Sequence, residues 1–151
     1  PPSLGLMTAN VLLAADACII PVPVTYLAMD GCAEVVDSMD RLRTSYARER
    51  PVLMAVVPTL MRPTRLASEI LEKLRQHFGE RLSRTLLGYN VAIDEAQSHG
   101  KTIFEYEPSS RGAAMIAALA EELFPEWTRR TPLATATATA TAAKPLSYAL
   151  N

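Results

Sequence analysis

This chain has no Cys-x-x-Cys pair, and its two cysteines, Cys18 and Cys32, are too few for a disulfide framework. Both lie in apolar surroundings and read as small buried hydrophobes, which fits a reducing cytosol. The two histidines, His77 and His99, are far apart and have no ligand-spaced partners, so no metal site is expected. No apolar run approaches the ~20 residues of a membrane helix, which excludes a helical span and argues against a membrane partner. The six glycines, Gly5, Gly31, Gly79, Gly88, Gly100 and Gly112, never cluster. A Gly-rich loop able to cradle phosphates is therefore missing. The opening Pro1-Pro2-Ser3-Leu4-Gly5 carries no positive charge, so it does not read as a secretory signal. Without an initiator Met, it reads as a chain cut at its N-terminus.

What is present suits an ordinary globular domain. The chain has 151 residues, 49% hydrophobic and 21% charged. A chain of this length buries roughly 70% of its unfolded surface without staples. A net charge of -1 conceals strong segregation. Residues 1–40 carry -5, residues 41–84 carry +6, residues 85–127 carry -5, and the tail adds +3. The basic middle reads either as a polyanion-binding face or as ordinary solvated helix faces.

Short β-branched runs alternate with helical patterns. Ala17–Val24, Val52–Pro58 and, more weakly, Arg84–Leu87 read as strands buried on both faces. Pro21, Pro23 and Pro58 place the ends of the first two. Helices are expected at Leu6–Ala15, from an Asp30 cap through Cys32, Val36, Met39 and Tyr46, and over Leu66–Phe78 with Gly79 as terminator. A further helix follows Ser109 or Ser110, carries Met115, Leu119 and Leu123, and stops before Pro125. This order predicts α/β architecture with a parallel sheet and crossover helices. The Thr-Ala alternation at Ala134–Ala143 has too little apolar area to order itself, so residues 128–151 are expected to be a disordered tail.

Three stretches carry further information. One joins Pro1–Gly5 to Asn10 and Ala14-Ala15-Asp16. Another joins Ile20-Pro21-Val22 to Tyr26–Gly31. The third runs from Asn90-Val91 through Glu95-Ala96-Gln97-Ser98-His99-Gly100-Lys101 to Tyr106–Ala113. In this order the chain resembles the C-terminal half of the ParA/Soj partition ATPases, within the MinD/ParA group of deviant P-loop proteins. The match runs from Pro1 to about Phe124, within a domain portion spanning residues 1–127.

The resemblance implies the back half of a P-loop NTPase fold. It also implies ATP-dependent dimerisation, non-specific DNA binding, a ParB-like stimulating partner and a cytoplasmic, nucleoid-associated location. ATP and Mg²⁺ are then cofactors of the complete protein, with none expected for this fragment alone. The family's Gly-rich loop and Mg²⁺-linked Asp are not in this chain, so no catalytic residue is expected here. Pro1, Pro2, Ser3, Leu4 and Gly5 correspond to the switch loop beside the phosphates; read without the family, they form a rigid turn with Ser3 as a cap.

Gly88 and Asn90 correspond to the loop near the nucleotide base. Relatives usually carry Pro-Arg-Asn there, and here Gly88 and Tyr89 stand in the first two places. Asn90 has an amide that donates and accepts, although an Asn after a strand is also an ordinary turn residue. Relatives commonly carry an acid near Arg62, whereas this chain reads Arg62-Pro63-Thr64-Arg65. Lys101 and Arg111 are the candidate DNA contacts, of a salt-sensitive and sequence-independent kind. His99 reads as structural, and no interleaved aromatics point to single-strand binding. A non-catalytic module pairing with a full-length relative is the alternative function, and positioning of another cellular cargo is a third. If the sheet's central strands are absent, bare edges are expected to favour aberrant pairing.

Overall fold

The computed structural model describes residues 5–126, in two compact units that divide between Tyr89 and Asn90. The expected Thr-Ala tail and residues Pro1–Leu4 lie outside the described residues.

The first unit is α/β, as the alternating pattern predicts. It runs α1 (Leu6–Ala14), β1 (Ala17–Pro23), α2 (Tyr26–Ser45), β2 (Val52–Thr59) and α3 (Arg65–Phe78), followed by a 3₁₀ turn at Gly79–Arg81. β1 and β2 are parallel, with Ala17 opposite Val52 and Pro23 opposite Thr59. The register slips between Cys18 and Ile19, where Met54 has no counterpart. Val24 N–H donates to the Thr59 carbonyl at 3.1 Å, and Val52 N–H donates to the Asp16 carbonyl at 3.1 Å. The even-numbered residues of β1 therefore aim their backbone groups at β2. The backbone of Ala17, Ile19, Pro21 and Pro23 faces the opposite edge, where the missing proline N–H groups cost no ladder bond to β2.

Ala55, Val56, Val57 and Pro58 are all buried, so β2 has the two-sided burial of an interior parallel strand. Ile20 and Val22 of β1, Cys32 and Met39 of α2, and Ile70 and Leu74 of α3 join Val56, Leu12 and Leu82 in one core. Both thiols sit in or against it. Burial raises the Cys18 pKa, and burial together with neighbouring Cys18 pushes Cys32 up to about 11, so Cys32 is a poor nucleophile.

Two details differ from the sequence reading. The second helix starts at Tyr26, because the Thr25 hydroxyl accepts from Ala28 N–H at 3.3 Å and caps it. Asp30 lies inside the helix rather than at its cap. Arg84–Leu87 does not form a continuous strand. Only Leu82 and Gly88 make parallel bridges, to Val56 and Met61. Between them the buried Ser83 hydroxyl donates to the Thr85 carbonyl at 2.7 Å, a local bond that competes with the ladder. Gly79 closes α3 as read, at φ 53°, where an L side chain is strained; the Thr64 hydroxyl, not singled out by the pattern, caps its start.

The second unit is helical: α4 (Val91–Ser98), α5 (Ile103–Tyr106) and α6 (Arg111–Leu123). Ser110 caps α6 by accepting from Ala113 N–H at 3.1 Å. Ala96, Ile103 and Ala113 form its small core. Gly112 permits the close approach of α6 to the α4 end. A Cβ there would lie 2.8 Å from Asn90 Oδ1 and 2.9 Å from Ile93 Cγ1.

Candidate functional site

Of the residues matched to the switch loop, only Gly5 is described. It precedes α1 as an extended N-cap residue, and its carbonyl accepts from Ala9 N–H at 3.1 Å. Gly88 sits in the bridge to Met61. Met61 N–H donates to the Leu87 carbonyl at 3.1 Å and Tyr89 N–H to the Met61 carbonyl at 3.3 Å, so the two loops are laced together. Above that lacing the Arg62 guanidinium lies 5.1 Å from the centre of the Tyr89 ring. This cation–π pair was not singled out as a site from sequence. The only signal for it was the pair of departures from the family pattern, at Arg62 and Tyr89.

Asn90 precedes α4 without a side-chain cap bond, while its carbonyl accepts from Ile93 N–H at 3.2 Å. Its Oδ1 is buried beside Gly112 and has no hydrogen-bond partner. The acceptor oxygen of the amide is thus enclosed within the second unit.

Lys101 and Arg111 are both exposed in the second unit. Lys101 follows Gly100, which takes φ 62° in the turn after α4, and its N–H donates to the Ala96 carbonyl at 3.0 Å. Arg111 is the first residue of α6. Neither forms an ion pair among the described residues. The basic middle is different. Arg43, Arg50, Arg65 and Arg75 pair with Asp40, Asp16, Glu69 and Glu72 on exposed surfaces. Each such pair contributes only about 0–1 kcal/mol to stability. Pairing nevertheless lowers the positive field that the charge count suggests.

His99 stacks on Tyr106, with ring centroids 5.2 Å apart and planes at 18°. The Tyr106 hydroxyl donates to Glu95 Oε2 at 3.2 Å. Desolvation, then the Glu95 carboxylate, raise the Tyr106 phenol. These contacts give His99 a packing role in the α4–α5 turn.

Next in the chain is a capping box. The Thr102 hydroxyl accepts from Glu105 N–H at 3.3 Å, and Glu105 Oε2 accepts from Thr102 N–H at 2.9 Å. The bond from the Thr102 backbone, followed by that from its hydroxyl, lowers the Glu105 carboxyl below its ordinary 4.5. The folded state therefore releases this proton more readily than the unfolded chain does. The cap is complete above the ordinary carboxylate value and is lost as pH falls through the lowered folded value. A carboxyl carbon NMR titration is expected to place Glu105 below 4.5 and, in Thr102→Ala, which keeps the backbone donor and loses only the hydroxyl, to move it part of the way back. An unchanged inflection in that variant would remove the Thr102 hydroxyl as a cause and leave the backbone N–H.

Among the described residues, no group of three His, Cys, Asp or Glu side chains is placed to hold a metal ion. No helix among them is long and apolar enough to cross a membrane.

A family model described as an AAA domain matches residues 1–51. The chain is 36% identical over 124 residues to the sporulation initiation inhibitor protein Soj of Bacillus subtilis, across 82% of this chain and 49% of that protein. It is 37% identical over 123 residues to the chromosome-partitioning ATPase Soj of Thermus thermophilus, with shares of 82% and 49%. With the chromosome partitioning protein ParA of Myxococcus xanthus it is 29% identical over 132 residues, with shares of 87% and 47%. The chain spans about half the length of the curated relatives it matches.

Proposed function

Since this chain is a relative of the Soj and ParA chromosome-partitioning ATPases, we propose that it forms the carboxyl-terminal part of a partition ATPase acting on the nucleoid. The observation that carries this reading is 36–37% identity sustained over 82% of the chain. ATP and Mg²⁺ serve the complete protein, and phosphate chemistry is supplied by the half its relatives carry beyond this match. ATP-dependent dimerisation, non-specific DNA binding and stimulation by a ParB-like partner belong to the same proposal. Within this chain Lys101 and Arg111 are the DNA-facing cations. Contacts of that kind read phosphate charge and not base sequence, so affinity falls steeply with salt.

The test joins this chain to the amino-terminal half its relatives carry. ATP turnover is then measured with DNA and a ParB-like partner. Turnover that rises on adding both is expected. Bound nucleotide without turnover overturns the ATPase reading, and turnover indifferent to DNA overturns the partition reading.

A further inference from the structure

In the first unit a hollow of about 410 Å³ opens to solvent between α2 and α3. Met29 and Ala33, one turn apart on α2, and Phe78 at the end of α3 make its apolar floor. Met29 and Phe78 pack against the core from above, and the His77 ring meets Phe78 edge to face, with centroids 4.6 Å apart and planes at 84°. The walls carry opposite charges: Asp30 stands on the α2 side, and Lys73 on the α3 side. They line one hollow, yet neither forms an ion pair among the described residues. Lys73 turns instead to Tyr26, donating to its hydroxyl at 3.2 Å and lying 4.7 Å from its ring centre. The hollow is thus left open between an acid and a base that have no counter-ion. Leu27, one turn before Asp30, adds an apolar side chain that is 85% exposed. A lone exposed leucine means little, but beside an apolar hollow it extends a patch.

We propose that the α2–α3 groove docks an amphipathic helix of a partner protein, one whose apolar stripe is flanked by bases on one side and acids on the other. Docking of this kind goes beyond the partition reading and stands or falls without it. A groove between two helices accepts a third by the same ridge-and-groove packing, with anchors three and four residues apart entering the hollow. An extended segment finds no sheet edge to pair with between two helices. The charges supply the selection. An incoming base meets Asp30 and an incoming acid meets Lys73, whereas a helix with one sign on both flanks sets like charge against one wall.

The test titrates the 151-residue chain with three synthetic helices of about 18 residues that share one leucine stripe. One carries lysines on one flank and glutamates on the other, the second lysines on both, and the third glutamates on both. Binding is followed by NMR at the Met29 and Ala33 methyl groups. The mixed helix is expected to shift both methyls and to bind at least about fivefold tighter than either of the others. Asp30 and Lys73 are exposed, so charge reversal there leaves the fold intact. Asp30→Lys and Lys73→Glu are each expected to weaken the mixed helix about fivefold. Made together, they exchange the two walls, and the mixed helix is expected to regain its affinity by entering in the opposite direction. Failure of that recovery, or tightest binding by the all-lysine helix, overturns the two-sided selection. Shifts elsewhere with Met29 and Ala33 unmoved, or no shift with about 1 mM of any helix, overturn the groove as a docking site. Methyl shifts that follow the protein's own concentration with no helix added assign the groove to a second copy of this chain and overturn the proposal.

Discussion

Leu74→Ala is expected to destabilise the first unit by about 3–5 kcal/mol, a large part of what a domain of this size has available. Leu74 has no exposed surface and lies one turn beyond Ile70, which also has none. Both project from α3 into the core that holds Val56, Leu82 and Met39. Removing three carbons there loses their transfer energy and leaves a void that the stiff β-branched side chains of β2 cannot collapse into. A urea titration followed by circular dichroism checks this, with a lower midpoint and an unchanged slope expected. Leu66→Ala, at the 53% exposed Leu66 of the same helix, is the comparison and is expected to be nearly neutral. Equal losses at the two sites would mean that the face of α3 assigned to the core is wrong.

Gly112→Val is expected to cost the second unit about 3 kcal/mol. The new Cβ would sit within 3 Å of both Asn90 Oδ1 and Ile93 Cγ1, and two further methyl groups would follow it. α6 would then have to lift from the start of α4, opening the small core of Ala96, Ile103 and Ala113. Gly31 supplies the contrast. It lies inside α2 and an added Cβ meets nothing within 4 Å, so Gly31→Ala is expected to stabilise by up to about 1 kcal/mol through helix propensity alone. Differential scanning calorimetry separates the two. Tolerance of valine at position 112 would show that the close approach is not needed.

The sequence made the α/β order legible because β1 and β2 are short, β-branched and bounded by proline, while α3 has a clear apolar stripe between Thr64 and Gly79. Where the reading failed, a local hydrogen bond or a side-chain partner decided the outcome. The cap of α2 lies at Thr25, five residues before the acid that looked suitable, because a hydroxyl three positions ahead of a free N–H is enough. The third strand broke into two bridges because Ser83 bonds to Thr85. α4 and α5 escaped notice, being only 8 and 4 residues long. Too few turns repeat in such helices for a period to show. The candidate site was legible only in part. Family motifs point to Asn90, Lys101 and Arg111, but neither motif nor spacing reveals that Asn90 turns its acceptor inward. Likewise, a count of positive residues in the basic middle does not show that four arginines already have carboxylates beside them.

The outward backbone of β1 sets a limit on self-association. Amyloid-like stacking needs an unbroken row of donors and acceptors along a strand edge, so that each copy templates the next. On the edge away from β2, Ala17 and Ile19 offer both a donor and an acceptor, whereas Pro21 and Pro23 offer only a carbonyl. An incoming strand would zip over the first half of β1 and find nothing to donate to it over the second. The apolar sequence Ala-Cys-Ile-Ile-Pro-Val-Pro thus contains its own gatekeepers, and they lie on the side where a runaway cross-β ladder would otherwise grow.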